Sequence, residues 1–337
     1  MPEHHTPDSP ELRRRIAGSL PLASGEANAG ELLSDLFETQ RREWPQCREG
    51  YDSFLRTKNR EVSVGGSTVW LQFNPGRIVS TGARVDERSI RERPCFLCVE
   101  DLPSQQKGLS FHGDTLILCN PNPIFERHFT ASHINHVPQE LGPNVERFLS
   151  LAEAVGPDYS VFYNGPRCGA SAPDHLHFQL SPKESIPVER DSEDKLRLRE
   201  LKVVRSVKYC TIPGYGRSVI VLHASSRDSI ADAIAAVIKA LKAVSGADGE
   251  PMLNLLCSVA GRDWKVVIFP RRKHRPEIYF APEGKNVMVS PALVDLGGLV
   301  ITPLLRDFEN LDGKSVGKIF AEVSLDETMT EAVIATL

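Results

Sequence analysis

The sequence predicts an α+β protein in which mainly antiparallel sheets are flanked by helices, built as two degenerate repeats. Segments whose apolar and polar residues alternate, such as 69–73, predict strands. Segments with apolar residues every three or four positions, such as 145–155, predict amphipathic helices. The order strand, helix, strand, strand occurs once in each half of the chain, which indicates two related halves.

The elements before the repeats are a tail and a helix. Residues 1–28 are rich in proline, serine, glycine and charge, so we expect a flexible tail. A helix is predicted at 31–42, because its leucines share one face, and Pro45 ends it. The predicted divisions of the chain are a tail (1–28), a helical extension (29–60), a first half (61–185), a connection (186–212), a second half (213–312) and a helical tail (313–337).

The first half begins with a predicted hairpin. The alternating strand 69–73 is followed by a turn at 74–76, and 77–80 has the composition of a returning strand. The remaining elements are a strand at 115–119, a helix at 145–155 and a strand at 159–163.

The second half repeats this order. Its predicted elements are a strand at 218–223, a helix at 228–244, a strand at 252–258 and a strand at 264–270. The basic run that follows holds two candidate substrate contacts, Arg271 and Lys273, together with Arg272 and His274. A solvated loop is the alternative interpretation of this run.

The composition excludes several classes of function. The chain has 337 residues, of which 41% are hydrophobic and 25% charged, as in ordinary globular proteins. A net charge of -4 gives no reason to expect nucleic-acid binding. No apolar run approaches the roughly 20 residues of a membrane helix, and the N-terminus lacks a signal-peptide core, so we expect a cytoplasmic protein. The seven cysteines do not have the spacing of a disulfide framework.

The most informative segment is 174–179, with the sequence DHLHFQ. On a strand, His175, His177 and Gln179 share one face. The preceding segment 164–173 is rich in small, turn-forming residues, which let backbone amides approach a phosphate closely. This combination predicts phosphoryl or nucleotidyl chemistry. Packed histidines or plain metal ligands are the alternatives.

A second chemical signal is the pair Cys95 and Cys98. A Cys-x-x-Cys pair supplies half of a zinc site, forms a redox dithiol or arises by coincidence. The redox motif normally begins a helix in a thioredoxin-like domain, which the surrounding pattern does not suggest. Further metal ligands are available in 127–136 and at His175.

These motifs resemble those of the histidine-triad superfamily. Residues 93–98 resemble the zinc-binding segment of galactose-1-phosphate uridylyltransferases, and 129–133 resembles the segment supplying that family's third ligand. Residues 175–179 are similar to the His-x-His-x-Gln signature of the transferase and phosphorylase branch, in the version of GDP-hexose phosphorylases. Residues 169–171 are similar to a loop of diadenosine tetraphosphate phosphorylases. The whole chain also resembles a bacterial family of this superfamily.

The resemblance implies a HIT-like fold and a role for each matching residue. His177 would be the nucleophile that carries a nucleoside monophosphate, and Gln179 would hydrogen-bond the transferring phosphoryl group. Ser171, with Gly169 and Ala170, would hold the phosphate oxygens.

The resemblance also implies a structural zinc ion. Its implied ligands are Cys95, Cys98, His133 and His175, with His128 or His136 as alternatives to His133. The candidate substrate contacts outside the signature are Asn120, Asn164, Arg77 and Arg84, for which turn formation or surface ion pairs are the alternatives.

The expected function is nucleotidyl transfer or phosphorolysis. A nucleoside monophosphate would pass from an NDP-sugar or a dinucleoside polyphosphate, through a covalent histidine, to phosphate or a sugar 1-phosphate. Transfer like that of hexose-1-phosphate uridylyltransferases is the nearest alternative. A zinc-dependent hydrolase, with His175 and His177 both on the metal, and a non-catalytic nucleotide-binding protein are the others.

Overall fold

A computed structural model describes residues 5–21, 29–82 and 87–337. The strands are β1 (Ile16–Ser19), β2 (Lys58–Val64), β3 (Ser67–Phe73), β4 (Gly108–Phe111), β5 (Thr115–Cys119), β6 (Phe129–His133), β7 (Tyr159–Asn164), β8 (His177–Pro182), β9 (Arg199–Val204), β10 (Val207–Thr211), β11 (Ile220–Ala224), β12 (Leu253–Ala260), β13 (Asp263–Pro270) and β14 (Leu299–Thr302). The helices are α1 (Pro10–Arg13), α2 (Ala29–Glu43), α3 (Pro45–Phe54), α4 (Ile78–Thr81), α5 (Glu87–Glu92), α6 (Val145–Val155), α7 (Val188–Asp191), α8 (Arg227–Ser245), α9 (Leu293–Leu296), α10 (Leu305–Asn310), α11 (Gly313–Val323) and α12 (Glu327–Ala335).

One large sheet runs through both halves of the chain. Its strand order is β1-β4-β5-β6-β8-β7-β12-β13-β11-β10-β9. The neighbouring strands are antiparallel, except that β1 and β4 are parallel. Strands β7 and β12 pair near the centre. Counted outward from this pair, the order is β7-β8-β6-β5-β4 on one side and β12-β13-β11-β10-β9 on the other, so the two sides have the same connectivity. The predicted α+β class with mainly antiparallel sheets is confirmed.

Alternation along the central strands separates a helix-covered face from a site-bearing face. Val161 and Tyr163 of β7 belong to the hydrophobic cluster that includes the apolar faces of α6 and α8. Phe162, which lies between them, belongs to a second hydrophobic cluster on the other face of the sheet. The rings of Phe148 in α6 and Phe178 in β8 lie 5.3 Å apart. Because side chains alternate along β8, the residues next to Phe178 point to the opposite face.

A smaller sheet contains a hairpin, but its second strand precedes β3 instead of following it as predicted. β3 pairs antiparallel with the preceding strand β2 and parallel with β14, and the tight turn is at Gly65 and Gly66, whose φ angles are 57° and 70°. Residues 78–81 form helix α4, so the returning strand expected at 77–80 is wrong. Pro75 begins a short 3-10 helix there, since proline lacks an N–H and its fixed φ suits the first helical position.

Two predicted irregular segments contribute strands. In the expected flexible tail, 1–28, the described residues 5–21 include α1 and β1, and Leu12 and Leu20 are buried. The expected connection, 186–212, contains α7 and extends the large sheet with β9 and β10. The prediction relied on the average composition of these segments, which is polar. It therefore missed the few apolar residues that pack against the core. Within the described ranges, no helix is both long and apolar enough to cross a bilayer.

Candidate active site and metal centre

A cavity of about 550 Å³ opens on the site-bearing face of the large sheet. Eight of the residues predicted for the site line it: Arg77, Asn120, Asn164, Gly169, Ala170, Ser171, His177 and Gln179. Residues of the second half, among them Arg275 and Asp295, complete its wall. Both halves of the chain therefore contribute to this cavity.

His177 is the first residue of β8 and is held in one orientation. Its ring Nδ1 lies 2.8 Å from the carbonyl oxygen of His175, to which it donates a hydrogen bond. Burial lowers the pKa of His177 below its ordinary value, so the ring is neutral. The proton on Nδ1 then leaves the lone pair on Nε2, the nitrogen that a nucleophilic imidazole needs free.

The backbone of His177 is fixed by Gln139, a residue that sequence reasoning missed. Strands β7 and β8 stop pairing with each other at Phe162 and Gln179, so the backbone groups that lie between the two strands beyond this point need other partners. The Gln139 amide replaces them: its Oε1 accepts from the His177 N–H at 2.8 Å, and its Nε2 donates to the carbonyls of His177 at 3.1 Å and Asn164 at 3.0 Å. Gln139 lies in the loop between β6 and α6, where no local pattern indicates this role.

Gln179 lies two residues further along β8 and also faces the cavity. Its Oε1 is 2.8 Å from Nε2 of His128, a fully buried histidine that precedes β6. Burial, with a contribution from the nearby Arg77, lowers the pKa of His128 to about 3. His128 is therefore neutral. It lies against Gln179 and outside the group of donor atoms that could hold a metal ion.

The segment before β8 forms the predicted loop of small residues. Gly169 has a φ of 121°, and a Cβ at this position would lie 2.6 Å from the Cβ of Ala292. Only glycine fits both conditions. The carbonyl of Ser171 accepts a hydrogen bond from Arg93 Nη2 at 2.7 Å, and Oδ1 of Asn164 accepts from the backbone N–H of Leu293 at 2.9 Å. The loop is therefore held from both halves of the chain.

Several charged side chains surround the cavity. Arg77, Arg93 and Arg275 line it, and Arg275 comes from the segment after β13. Asp295 of α9 accepts hydrogen bonds from the backbone N–H groups of Ala292 and Ile301, and burial raises its pKa to about 6. Guanidinium groups at a cavity wall favour anionic ligands such as phosphates.

Four side chains next to the active site could hold a metal ion. Cys95, Cys98, His136 and His175 each offer one donor atom, and these atoms all lie within 4.8 Å of one another. Nδ1 of His175 is 3.3 Å from Cys95 Sγ and 3.6 Å from Cys98 Sγ, and Nδ1 of His136 is 3.2 Å from Cys98 Sγ. Sulfur and nitrogen ligands on a tetrahedral zinc ion are separated by about 3.6 Å.

The outer nitrogens of both histidines have acceptors of the kind found around metal sites. Nε2 of His175 donates to the carbonyl of His133 at 2.7 Å, and Nε2 of His136 lies 3.1 Å from Asp174 Oδ2. These bonds leave each Nδ1 lone pair directed at the cysteines. Burial lowers the pKa of His175 to about 4, so its ring is neutral. The donor set therefore fits a divalent cation.

The structure groups His136, the alternative to His133 given by the sequence, with the two cysteines and His175, and it does not place the expected third ligand His133 in that group. Nδ1 of His133 accepts a hydrogen bond from the Asn135 N–H at 3.0 Å, and the donor group does not include its ring. His133 ends β6, and the chain after it turns so that His136 approaches Cys98. The sequence offers both histidines close together, and only the turn selects between them.

Two predicted substrate contacts lie outside the cavity. Arg271 is buried, and its guanidinium donates to Asn254 Oδ1 at 2.5 Å and to the carbonyls of Lys273 and His274. Lys273 pairs with Glu277 and Glu322 on the surface. The basic run instead brings His274 and the following residue, Arg275, to the cavity. Arg84, another candidate contact, lies outside the described residues.

Comparisons with known proteins agree with this architecture. Residues 187–336 match the family described as "GDPGP1-like, C-terminal domain", and residues 36–182 match "Domain of unknown function (DUF4922)". The fold is similar to yeast Ap4A phosphorylase Apa2 in complex with AMP, with a TM-score of 0.60, 18% identity, and coverage of 88% of this chain and 96% of that chain. The Apa2 complex with Ap4A gives a TM-score of 0.60 and 16% identity, covering 89% and 98%. No curated protein matches the sequence.

The family match over 187–336 and the fold shared with Apa2 both support the expected resemblance to the histidine-triad superfamily. They support its phosphorylase branch in particular.

Proposed function

We propose that the protein is a phosphorylase or nucleotidyltransferase in which His177 carries a nucleoside monophosphate between donor and acceptor. The observation that carries this proposal is the hydrogen bond from Nδ1 of His177 to the His175 carbonyl, which leaves Nε2 as the free nitrogen beside a small-residue loop. A binding protein would have no need for an imidazole held in this way.

The reaction has two in-line displacements. Nε2 of His177 attacks the α-phosphorus of the donor, an N–P bond forms, and the bond from phosphorus to the bridging oxygen breaks. In the second step an oxygen of inorganic phosphate or of a sugar 1-phosphate attacks the same phosphorus, and the N–P bond breaks. The proton stays on Nδ1 throughout, where the His175 carbonyl stabilises the charge that develops on the ring.

The surrounding residues stabilise the transferring group. The amide nitrogen of Gln179 would donate to a phosphoryl oxygen, and the loop at 169–171, which lines the same cavity, would offer backbone N–H groups. Arg77 and Arg93 supply positive charge at the cavity wall for the rest of the phosphate chain.

An NDP-sugar is the first choice of donor, with phosphate as acceptor. The match of residues 187–336 to a GDPGP1-like domain supports a nucleotide-sugar donor. The likeness to Apa2, which has been solved with AMP and Ap4A, supports a dinucleoside polyphosphate as the second candidate. When His177 takes the nucleoside monophosphate, the rest of either donor leaves as a phosphorylated product.

The metal that we propose for Cys95, Cys98, His136 and His175 is zinc. Two thiolates and two imidazoles suit this ion, and bound zinc would stabilise the local fold. A hydrolase with His177 also on the metal is less well supported, because His177 is absent from the donor group and its Nδ1 bonds a carbonyl.

We further propose that the two halves arose by duplication, supported by the strand order on either side of the β7 and β12 pair. Strand β13 takes the position of β8 in that order, and it contains no histidine.

The test is intact-mass analysis after incubation with Ap4A and with a panel of nucleotide sugars that includes GDP-mannose. We expect one donor to add the mass of a nucleoside monophosphate, and His177→Ala to abolish the adduct. The matched control is His112→Asn, since His112 is exposed and has a φ of 54° that asparagine tolerates. An adduct that persists in His177→Ala, or turnover without any adduct, would overturn the proposal.

A further inference from the structure

His128 is a fully buried histidine that takes no part in the proposed covalent chemistry. Its backbone N–H donates to the hydroxyl oxygen of Tyr51, and the Tyr51 O–H donates back to its carbonyl, both at 3.1 Å. The His128 ring lies 5.4 Å from the ring of Phe125 and 6.2 Å from the ring of Phe162. Backbone and ring are therefore held independently of any ligand.

The environment of its two ring nitrogens selects one tautomer. Nε2 faces Gln179 Oε1 at 2.8 Å, while Nδ1 is buried without a partner in the described part of the chain. If Nδ1 carried the proton, a buried N–H would have no acceptor, which is rarer in proteins than an unused lone pair. Double protonation is disfavoured, because burial lowers the pKa of His128 to about 3. The proton therefore lies on Nε2.

We propose that His128 is a positioning residue that locks the side-chain amide of Gln179. The Nε2–H donates to Oε1, so the amide nitrogen must face the cavity, where no described residue offers it an acceptor. A phosphoryl oxygen of the substrate is the partner that this N–H lacks. The inference rests on the proposed function, because it assigns Gln179 the role of donor to the transferring group.

Without the imidazole donor the amide of Gln179 is free to rotate by half a turn. It would then present its carbonyl oxygen to the anionic group, and two acceptors would face each other. A donor that is fixed in advance stabilises the transition state more than one that must be reoriented. His128 therefore affects the rate of transfer more than the binding of substrate.

The test is a double-mutant cycle in which the rate of covalent nucleotidylation of the protein is measured. The donor is Ap4A or GDP-mannose, whichever labels the wild-type protein. His128→Phe keeps an aromatic ring and removes the N–H. We expect it to lower this rate about tenfold or more with little change in KM. In the Gln179→Ala background the same substitution should change the rate by less than about twofold, because the amide it positions is gone. His128→Gln, which restores an N–H donor, should recover part of the rate.

Each outcome decides between the two proposals. An equal loss in both backgrounds, or no loss in His128→Phe, overturns the positioning role and leaves the covalent mechanism intact. A wild-type protein that no donor labels overturns both. A nitrogen-15 spectrum of histidine-labelled protein gives a measurement that needs no substrate. The signals of His128 are those that disappear in His128→Gln, and they should show that Nε2 carries the proton. A proton on Nδ1 would refute the positioning role even if His128→Phe does not fold.

Discussion

The carbonyl oxygen of His175 accepts a hydrogen bond from Nδ1 of His177, while the side chain of the same His175 directs its own Nδ1 at Cys95 and Cys98. One residue thus connects the metal-ligand group to the proposed nucleophile. Displacement of the His175 backbone would move the acceptor that sets the tautomer of His177. We therefore expect the metal centre to affect the reaction only by fixing the position of the His175 carbonyl.

Removal of a cysteine ligand tests this connection. Cys98→Ser should remove close to one zinc ion per chain and lower the rate of nucleotidyl labelling about tenfold or more, since outer support of this kind is worth about 10–100-fold. Metal analysis and intact-mass kinetics measure the two effects. Cys210→Ser, at a buried cysteine of β10 outside the donor group, should retain the zinc. Unchanged zinc in Cys98→Ser would remove the proposed metal site.

Gly169 is expected to be indispensable for the shape of the phosphate loop. Gly169→Ala places a methyl group against Ala292 at a φ of 121°, so we expect a loss of about 1–3 kcal/mol in the free energy of unfolding and a higher KM for the nucleotide. Urea denaturation and steady-state kinetics give both values. Gly249→Ala is the control, because nothing lies within 4 Å of its added Cβ and its φ is ordinary. Equal behaviour of the two variants would contradict this role.

Gln139 should support both stability and rate. Gln139→Leu leaves the His177 N–H and the carbonyls of His177 and Asn164 without their side-chain partner, so we expect a loss of about 2–3 kcal/mol in the free energy of unfolding. The labelling rate should fall as well, because the start of β8 is no longer fixed. Gln105→Leu, at an exposed position, is the control. A Gln139→Leu protein that is as stable and active as wild type would refute the role of Gln139 in fixing the His177 backbone.

Arg271 and Lys273 should differ sharply although they are close in sequence. Arg271→Met removes the buried donor to Asn254 Oδ1 and to the carbonyls of Lys273 and His274, so the free energy of unfolding should fall by about 2–3 kcal/mol. Lys273→Ala removes only surface ion pairs, and we expect no measurable change in stability or KM. Chemical denaturation and kinetics separate the two. A raised KM in Lys273→Ala would restore this lysine as a substrate contact.

Local periodicity was sufficient for the elements whose sequence pattern is strong. Strand 115–119 and helix 145–155 have the predicted bounds, since an uninterrupted apolar pattern determines burial along each of them. The expected strand at 77–80 failed because Pro75 favours a helical start, which the alternation argument ignored. Strand β1 was missed because short, mixed segments pair through contacts that no local window contains.

The site residues follow the same division. Segment 174–179 could be interpreted from the sequence because strand alternation determines which side chains share a face. Arg275 and Asp295 could not be found in this way, because folding of the second half brings them to the cavity from about one hundred residues further along the chain. The choice between His133 and His136 depended on a turn whose course the spacing did not determine.

The pairing of β7 with β12 makes the first half of the chain depend on the second half for a complete sheet. A fragment ending near residue 185 would present β7 as a bare edge, with its N–H and C=O groups open to any neighbouring chain, and such edges promote aggregation. The strands of the second half are therefore needed to cover β7, whatever chemistry the side chains of that half perform. Mutational tolerance should be lowest along this seam, even where it lies far from any reacting atom.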